Sequence, residues 1–340
     1  MEILGLTLLA VITILMTLGF DFVNGFNDSA NSISTVVATK VLTPFQAVSM
    51  AAVFNFLGIF LWPNIANTIG NGIIDKDYLR EQLPVILFCA VLAAIIWDLI
   101  TWWFGIPTSS SHALVGGLIG AGGAVAGLNA IVWSGSTKTV LFIVISPVAG
   151  LAAAFLLTLV VMNVAHKHSR HQVNKWFRKL QIASAATLSL THGANDAQKG
   201  MGIIALILWI DATSSGASAS FHVPLWTMVA CQTAISLGTF FGGWRIVKTM
   251  ASRITHLDAS QGFCAETGAA ILLFSTAKLG IPVSTTHTIS GGIMGVGATR
   301  RLSAVRWGVG RRIVLAWILT IPASATVAGL LYLLLHGLGL

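Results

Sequence analysis

The sequence has very little charge. Asp, Glu, Lys and Arg make up 9% of its 340 residues, against about 25% in an ordinary soluble domain. A water-facing surface cannot be built from so few. It also lacks any long polar tract, which excludes a disordered chain and leaves no room for a separate soluble domain. Cysteine is scarce too. Cys89, Cys231 and Cys264 are far apart, odd in number and without metal-ligand spacing, which excludes a disulfide scaffold and leaves buried packing as their role. What is present is apolar: 55% of the residues are hydrophobic and the mean hydropathy is +0.85. The composition predicts an all-α polytopic membrane protein. The net charge of +8 reads as cytoplasmic loops of such a protein, not as a nucleic-acid surface.

A spanning helix needs about 20 apolar residues. Segments 3–20, 44–62, 84–104, 138–162, 182–210, 224–244, 262–279 and 313–335 qualify. Segment 3–20 does not read as a signal peptide, because its short leading region holds Glu2 and no Lys or Arg. Trp226 and Trp244 bracket one segment as interface anchors. Four further stretches, 27–39, 107–126, 195–208 and 282–298, are apolar but start with polar residues, and 107–126 and 282–298 are rich in glycine. Two of them run on from a spanning candidate, and all four are expected to be half-helices or re-entrant segments buried in protein. Loops 163–181, 245–261 and 299–312 carry most of the basic residues and are expected in the cytoplasm. Loops 63–83 and 211–223 are then outside, as are both termini.

Two passages occur twice. Gly25-Phe26-Asn27-Asp28 returns in the second half of the chain as Gly193-Ala194-Asn195-Asp196. Gly105-Ile106-Pro107-Thr108-Ser109-Ser110-Ser111-His112 returns there too, in the same order and at nearly the same offset, as Gly280-Ile281-Pro282-Val283-Ser284-Thr285-Thr286-His287. Gly116, Gly117 and Gly120 likewise match Gly291, Gly292 and Gly295. The chain thus reads as a first transmembrane repeat (1–162), a basic cytoplasmic linker (163–181) and a second repeat (182–340). The loop charges orient the halves oppositely. Inverted-topology repeats with polar interruptions in apolar segments mark secondary transporters, with the site near mid-membrane.

The Pro-Thr/Val-Ser-Ser/Thr runs read as N-termini of buried half-helices. Pro suits the first turn, Ser and Thr suit the cap, and the free N–H groups and dipole suit an anion. Hydroxyls add donors that can follow a tetrahedral oxyanion; capping alone is the structural alternative. Asp28 and Asp196 can cap helices, but a carboxylate near the membrane centre costs about 2.5–3.5 kcal/mol. Two acids placed symmetrically point to cation work, by Na⁺ or H⁺. Asn24, Asn27, Asn31 and Asn195 add amide oxygens that suit a hard cation. Asp21 lies one turn before Asn24 and joins the candidate cation site. Lys199 either pairs with Asp196 or contacts the anion. Asp98, among Trp97, Trp102 and Trp103, is expected at an interface. Glu266 stays open between coupling and structure. His112 and His287 are either hydrogen-bonded core residues or part of a substrate or proton path, and His166, His168 and His171 read as a solvated loop.

Asn24 to Asn31 and His192 to Gly200, together with the Pro-Thr-Ser-Ser-Ser-His and Pro-Val-Ser-Thr-Thr-His segments, resemble the signatures of the inorganic phosphate transporter family of Pit type over nearly the whole chain. The resemblance implies uptake of inorganic phosphate coupled to H⁺ or Na⁺, in some bacterial members as a neutral metal–phosphate complex. It implies an inverted repeat with broken helices, a homodimer in the plasma (inner) membrane and no cofactor beyond the coupling ion. Carried over, Ser109, Ser110, Ser111, Ser284, Thr285 and Thr286, with Asn27 and Asn195, bind phosphate. Asp21, Asn24, Asp28, Asn31, Asp196 and Glu266 hold or couple the cation, with Na⁺ placed at Asp28 and Asp196. The chain departs from the family at Ser32, where many members have Ala, and lacks the large central hydrophilic region of some relatives. A sulfate-carrying branch lacks the Asn-Asp signature, so phosphate is favoured over sulfate or another oxyanion. An intramembrane hydrolase is disfavoured because Ser111 and His112 are sequence neighbours, which does not aim a base at a nucleophile, and a duplicated motif has no catalytic rationale. A passive anion channel is disfavoured by the buried acids and the two-fold repeat.

Overall fold

The computed structural model describes residues 2–3, 6–61, 64–214 and 220–339. Residues 4–5, 62–63 and 215–219, inside the expected spans 3–20 and 44–62 and loops 63–83 and 211–223, lie outside the described residues. A small hairpin of β1 (Glu2–Ile3) and β2 (Leu6–Thr7) precedes twelve α-helices among the described residues. These are α1 (Leu8–Ala38), α2 (Pro44–Leu57), α3 (Asn64–Asn71), α4 (Leu83–Phe104), α5 (Ser110–Ala126) and α6 (Trp133–Ala165), then α7 (Arg170–Ser214), α8 (Leu225–Phe241), α9 (Trp244–Ser252), α10 (Ala259–Lys278), α11 (Thr285–Arg300) and α12 (Trp307–Gly337). The second six follow the first six in order and kind. α2 and α3 are bent by 78°, and α8 and α9 by 66°. α6 and α12 each carry an internal proline, Pro147 and Pro322.

Five of the described helices are long and apolar enough to cross a membrane, or seven if each bent pair is one span. Their outer faces expose large apolar side chains such as Leu15, Val144 and Leu319, as a surface solvated by lipid does. The chain is an integral membrane protein. Trp226, in the first turn of α8, and Trp244, at the start of α9, are both about half exposed. The three cysteines are buried and unpaired.

Two sequence expectations change. The segments 27–39 and 195–208 are not separate half-helices; each continues a longer helix, α1 and α7. They are polar because they run through the protein interior: residues 27–36 and 191–207 are buried without interruption. A helix surrounded by protein needs no break to shelter polar side chains. The basic loop over 163–181 is also shorter than expected, since α7 begins at Arg170. The other two predicted half-helices, 107–126 and 282–298, do begin anew as α5 and α11.

The cause of those two breaks is local. Gly105 (φ +63°) and Gly280 (φ +67°) turn the chain left-handed just after α4 and α10, a conformation that glycine adopts without strain. Pro107 and Pro282 cannot continue the helix. Ser109 and Ser284 then restart it, their hydroxyls accepting from the N–H of His112 (3.3 Å) and His287 (3.1 Å). Each hairpin returns to its starting end. Arg300, closing α11, donates to the Asp258 carboxylate before α10 at 2.6 Å. At the other hairpin, Asp75 N–H bonds the Ala130 carbonyl at 2.9 Å.

The halves are interleaved. α5 packs on α12 and α11 on α6; α1 packs on α8 and α7 on α2. Glycines make these approaches backbone to backbone. A Cβ on Gly120 would lie 2.0 Å from the Ala325 carbonyl oxygen, and one on Gly295 2.3 Å from that of Leu151. α1 and α7 run antiparallel through the centre. Asp21 abuts Gly200, Asp28 approaches His192, and Thr39 donates to Gln181 (2.9 Å).

Candidate functional site

The two Asn-Asp signatures meet where α1 and α7 cross, facing the start of α11. The Thr285 hydroxyl lies 3.4 Å from Asp28 Oδ2 and 3.2 Å from Asp196 Oδ2. The Thr286 hydroxyl lies 3.1 Å from Asp28 Oδ1. The Asn31 amide donates to both hydroxyls, at 3.1 and 3.0 Å. Two successive turns of α7 add the cationic side: His192 Nε2 is 3.2 Å from Asp196 Oδ2 and 4.0 Å from Asp28 Oδ2, and Lys199 Nζ is 3.0 Å from Asp196 Oδ1. The other ring nitrogen of His192 is held by Asn55 Oδ1 at 3.1 Å. All these groups are at most 4% exposed. Asp28, His192 and Asp196 each offer a donor atom, all within 4.8 Å of one another. Two carboxylates with an imidazole can hold a cation, and the hydroxyls and amide beside them can hold an oxyanion.

The remaining predicted residues sort as follows. Ser109 and Ser284 act as caps, which uses an acceptor lone pair and leaves each O–H able to donate. The Ser111 hydroxyl donates to the Val283 carbonyl (3.4 Å), joining the two hydroxyl motifs. Asn27 and Asn195 are used alike, donating to the carbonyls of Asp98 (2.9 Å) and Leu273 (3.3 Å). Asn24 is fully buried, and its amide meets no well-aligned partner among the described residues. The Asp21 carboxylate lies against Gly200, with the Cys231 thiol as its polar neighbour. Glu266 stands apart from this cluster. Thr35 (2.6 Å), Gln181 (3.1 Å) and Ser184 all donate to it, tying α1, α7 and α10 together near one end.

Asp98 corrects a prediction. It is not interfacial but 1% exposed, inside the fold, while Trp103 on the same helix is exposed. Their spacing along the helix turns the two side chains to different faces. Sequence reasoning also did not single out His192 as a site residue, or Asn55 as its holder. His192 opens the second signature, and its mirror position is Asn24; the pairing of a His with an Asn across the repeat was the available signal. The His112 and His287 rings meet at a tilt (centroids 4.8 Å apart), and His287 stacks on Trp317 at 3.9 Å.

A model of the family described as "Phosphate transporter family" matches residues 24–328. A "Probable low-affinity inorganic phosphate transporter" of Rhizobium meliloti (strain 1021) is 52% identical, with 94% of each chain covered. One of the same description from Bacillus subtilis (strain 168) is 41% identical, covering 97% of this chain and 98% of that one. A solved structure, "The sodium-dependent phosphate transporter", is similar with a TM-score of 0.86 at 26% identity, over 97% of this chain and 99% of the other.

Proposed function

The chain belongs to the phosphate transporter family, and from that premise we propose that it imports inorganic phosphate by cation symport through alternating access. It is a transporter and not an enzyme. The observation that carries the coupling is the single Thr285 hydroxyl placed between two buried acids, 3.4 Å from Asp28 and 3.2 Å from Asp196. Phosphate and unscreened carboxylates repel each other, and in a low-dielectric interior that repulsion is strong. In this arrangement the donors the anion needs, Thr285 and Thr286, face the acids instead. A cation on Asp28 and Asp196 replaces those hydroxyls as the carboxylates' partner. The O–H groups are then free to turn toward phosphate. Cation loading therefore prepares the anion site, which is what coupling requires.

Charge gives the same answer. Asp21, Asp28, Asp98 and Asp196 are buried around one buried lysine, Lys199. Adding an anion to that set without added cations carries a steep cost. Na⁺ or H⁺ supplies the balance, and the name of the structural relative favours Na⁺. The N-termini of α5 and α11 add their dipoles to the anion side, with Ser110, Ser111, Thr285 and Thr286 as donors and Asn27 and Asn195 bracing the helices behind them. Asn24, Asn31, Asp21 and Glu266 complete the cation side in this proposal.

The proposal includes the repeats 1–162 and 182–340 about the basic segment 163–181, related by inversion. The antiparallel course of α1 and α7 and the exchanged helix pairs support it. Rocking of the halves about the central cluster exposes it to either side. The protein sits as a homodimer in the inner membrane, with both termini outside and the basic segments in the cytoplasm. A second reading of the substrate, a neutral metal–phosphate complex, is favoured by the Asp28–His192–Asp196 cluster, since imidazole with carboxylates suits a divalent ion.

Thr285→Val tests the shared hydroxyl. Hydrogen bonds to charged groups contribute about 1.5–3 kcal/mol, so the phosphate concentration for half-maximal uptake is expected to rise by about tenfold or more. Thr285→Ser should restore it. Unchanged half-saturation in Thr285→Val contradicts the role.

A further inference from the structure

The two halves make one contact twice. Asn27 Nδ2 donates to the Asp98 carbonyl at 2.9 Å, and Asn195 Nδ2 donates to the Leu273 carbonyl at 3.3 Å. Asn27 and Asn195 hold the same place in the two Asn-Asp signatures, and Asp98 precedes Gly105 by as many positions as Leu273 precedes Gly280. Asp98 and Leu273 are thus one position seen in each half, an acid in the first and an alkyl chain in the second. Lys199 breaks the symmetry the other way. Its mirror is Asn31, which follows Asp28 as Lys199 follows Asp196. Asn31 hydrogen-bonds Thr285 and Thr286, where Lys199 pairs with Asp196.

The fold has no structural need for the acid. Leu273 fills the mirror position fully buried. Asp98 sits inside α4, so it caps nothing. It does not serve as a required counter-charge to the helix start beside it, because α11 begins without an acid at the equivalent place. Lys199 is engaged by Asp196. The Ser110 hydroxyl faces Asp98, yet neither carboxylate oxygen receives a well-aligned hydrogen bond among the described residues. The side-chain oxygen of Asn27, whose amide N–H bonds the Asp98 backbone carbonyl, is also without a well-aligned partner there. A buried carboxylate in that condition is costly unless something positive joins it.

We infer that Asp98 holds one coupling cation, a proton or a sodium ion, between α4 and the start of α5. The inference rests on the transport function proposed above. The charged and titratable groups around it are Asp28 on α1, Asp196 and Lys199 on α7, and His112 just past Ser110 on α5. On α9, Arg245 lies over Trp102 and Trp103, one turn along α4. α12 presents the Thr320 hydroxyl, which receives the Trp97 N–H. The acids at the site face Asp98 from the substrate side, so a cation there is felt by the phosphate site. Because the mirror position is leucine, this load belongs to one half alone.

The test reads the ratio of cations to phosphate moved in proteoliposomes, with ²²Na⁺ uptake and a lumenal pH dye as separate arms. In Asp98→Asn the ratio is expected to fall by one cation per phosphate, in the Na⁺ arm or in the H⁺ arm according to which ion Asp98 holds. Asp98→Glu should keep the wild-type ratio. An unchanged ratio in Asp98→Asn, with only a slower rate, overturns the inference. If Asp98→Asn carries no phosphate, Asp98→Glu decides: transport at the wild-type ratio supports the assignment, and an inactive but folded Asp98→Glu overturns it. Wild-type protein that moves no phosphate overturns the transport proposal itself, a result distinct from an unchanged ratio.

Discussion

Asp28→Asn and Asp196→Asn are each expected to lower gradient-driven phosphate accumulation by about two to three and a half powers of ten. Removing one partner from a buried charged network costs about 3–5 kcal/mol, and each 1.4 kcal/mol is about a factor of ten. The two losses should not add in the double variant, because the Thr285 hydroxyl and His192 touch both acids and groups that act as one unit are not independent. Steady-state accumulation of labelled phosphate under an inward cation gradient measures this. The Asp196 variant should suffer in a second way, since Lys199 loses its 3.0 Å partner and is left as a buried unpaired cation. Full accumulation in both single variants would remove the coupling role of the signatures.

Gly120→Ala is expected to destabilise the folded protein severely, while Gly123→Ala on the same helix leaves it unchanged or slightly more stable. A Cβ on Gly120 falls 2.0 Å from the Ala325 carbonyl oxygen and 2.5 Å from its Cα, whereas one on Gly123 meets nothing within 4 Å. The obstruction is backbone, so α12 has to move as a whole. Overpacking a well-packed site costs about 1–3 kcal/mol, and this contact lies at the upper end or beyond. At Gly123 the better helix propensity of alanine, about 1 kcal/mol, has no clash against it. The second repeat repeats the experiment: Gly295→Ala should behave like Gly120→Ala, because its Cβ falls 2.3 Å from the Leu151 carbonyl oxygen. Thermal unfolding midpoints of the purified protein in detergent check all three. Equal midpoints for Gly120→Ala and wild type would mean that α5 and α12 are not packed as described.

Much of this was legible in the sequence because duplication writes each feature twice. One Ser-Thr run before a glycine-rich stretch is ambiguous; two, with the same Gly-Ile-Pro lead, located both α5 and α11. The glycine steps that bring α5 to α12 and α11 to α6 were visible for the same reason. The errors have one physical source. The segments 27–39 and 195–208 look too polar to continue spanning helices only if each helix meets lipid. α1 and α7 are buried in protein along 27–36 and 191–207, and a buried helix can be polar without breaking. Asp98 misleads in the same way: its tryptophan neighbours suggest an interface, but the face it occupies is set by helical phase and by what packs there. The Glu266 cage of Thr35, Gln181 and Ser184 and the grip of Asn55 on His192 join residues far apart in the chain, and only the folded chain brings them together.

The most direct measurement is uptake of labelled phosphate into proteoliposomes holding the purified protein, at fixed pH, with and without an inward Na⁺ gradient, followed by an imposed pH gradient. The account predicts accumulation above the external concentration under at least one of the two gradients and none when both are collapsed. Uptake that merely equilibrates phosphate under every condition, or no phosphate uptake under either gradient, would contradict it.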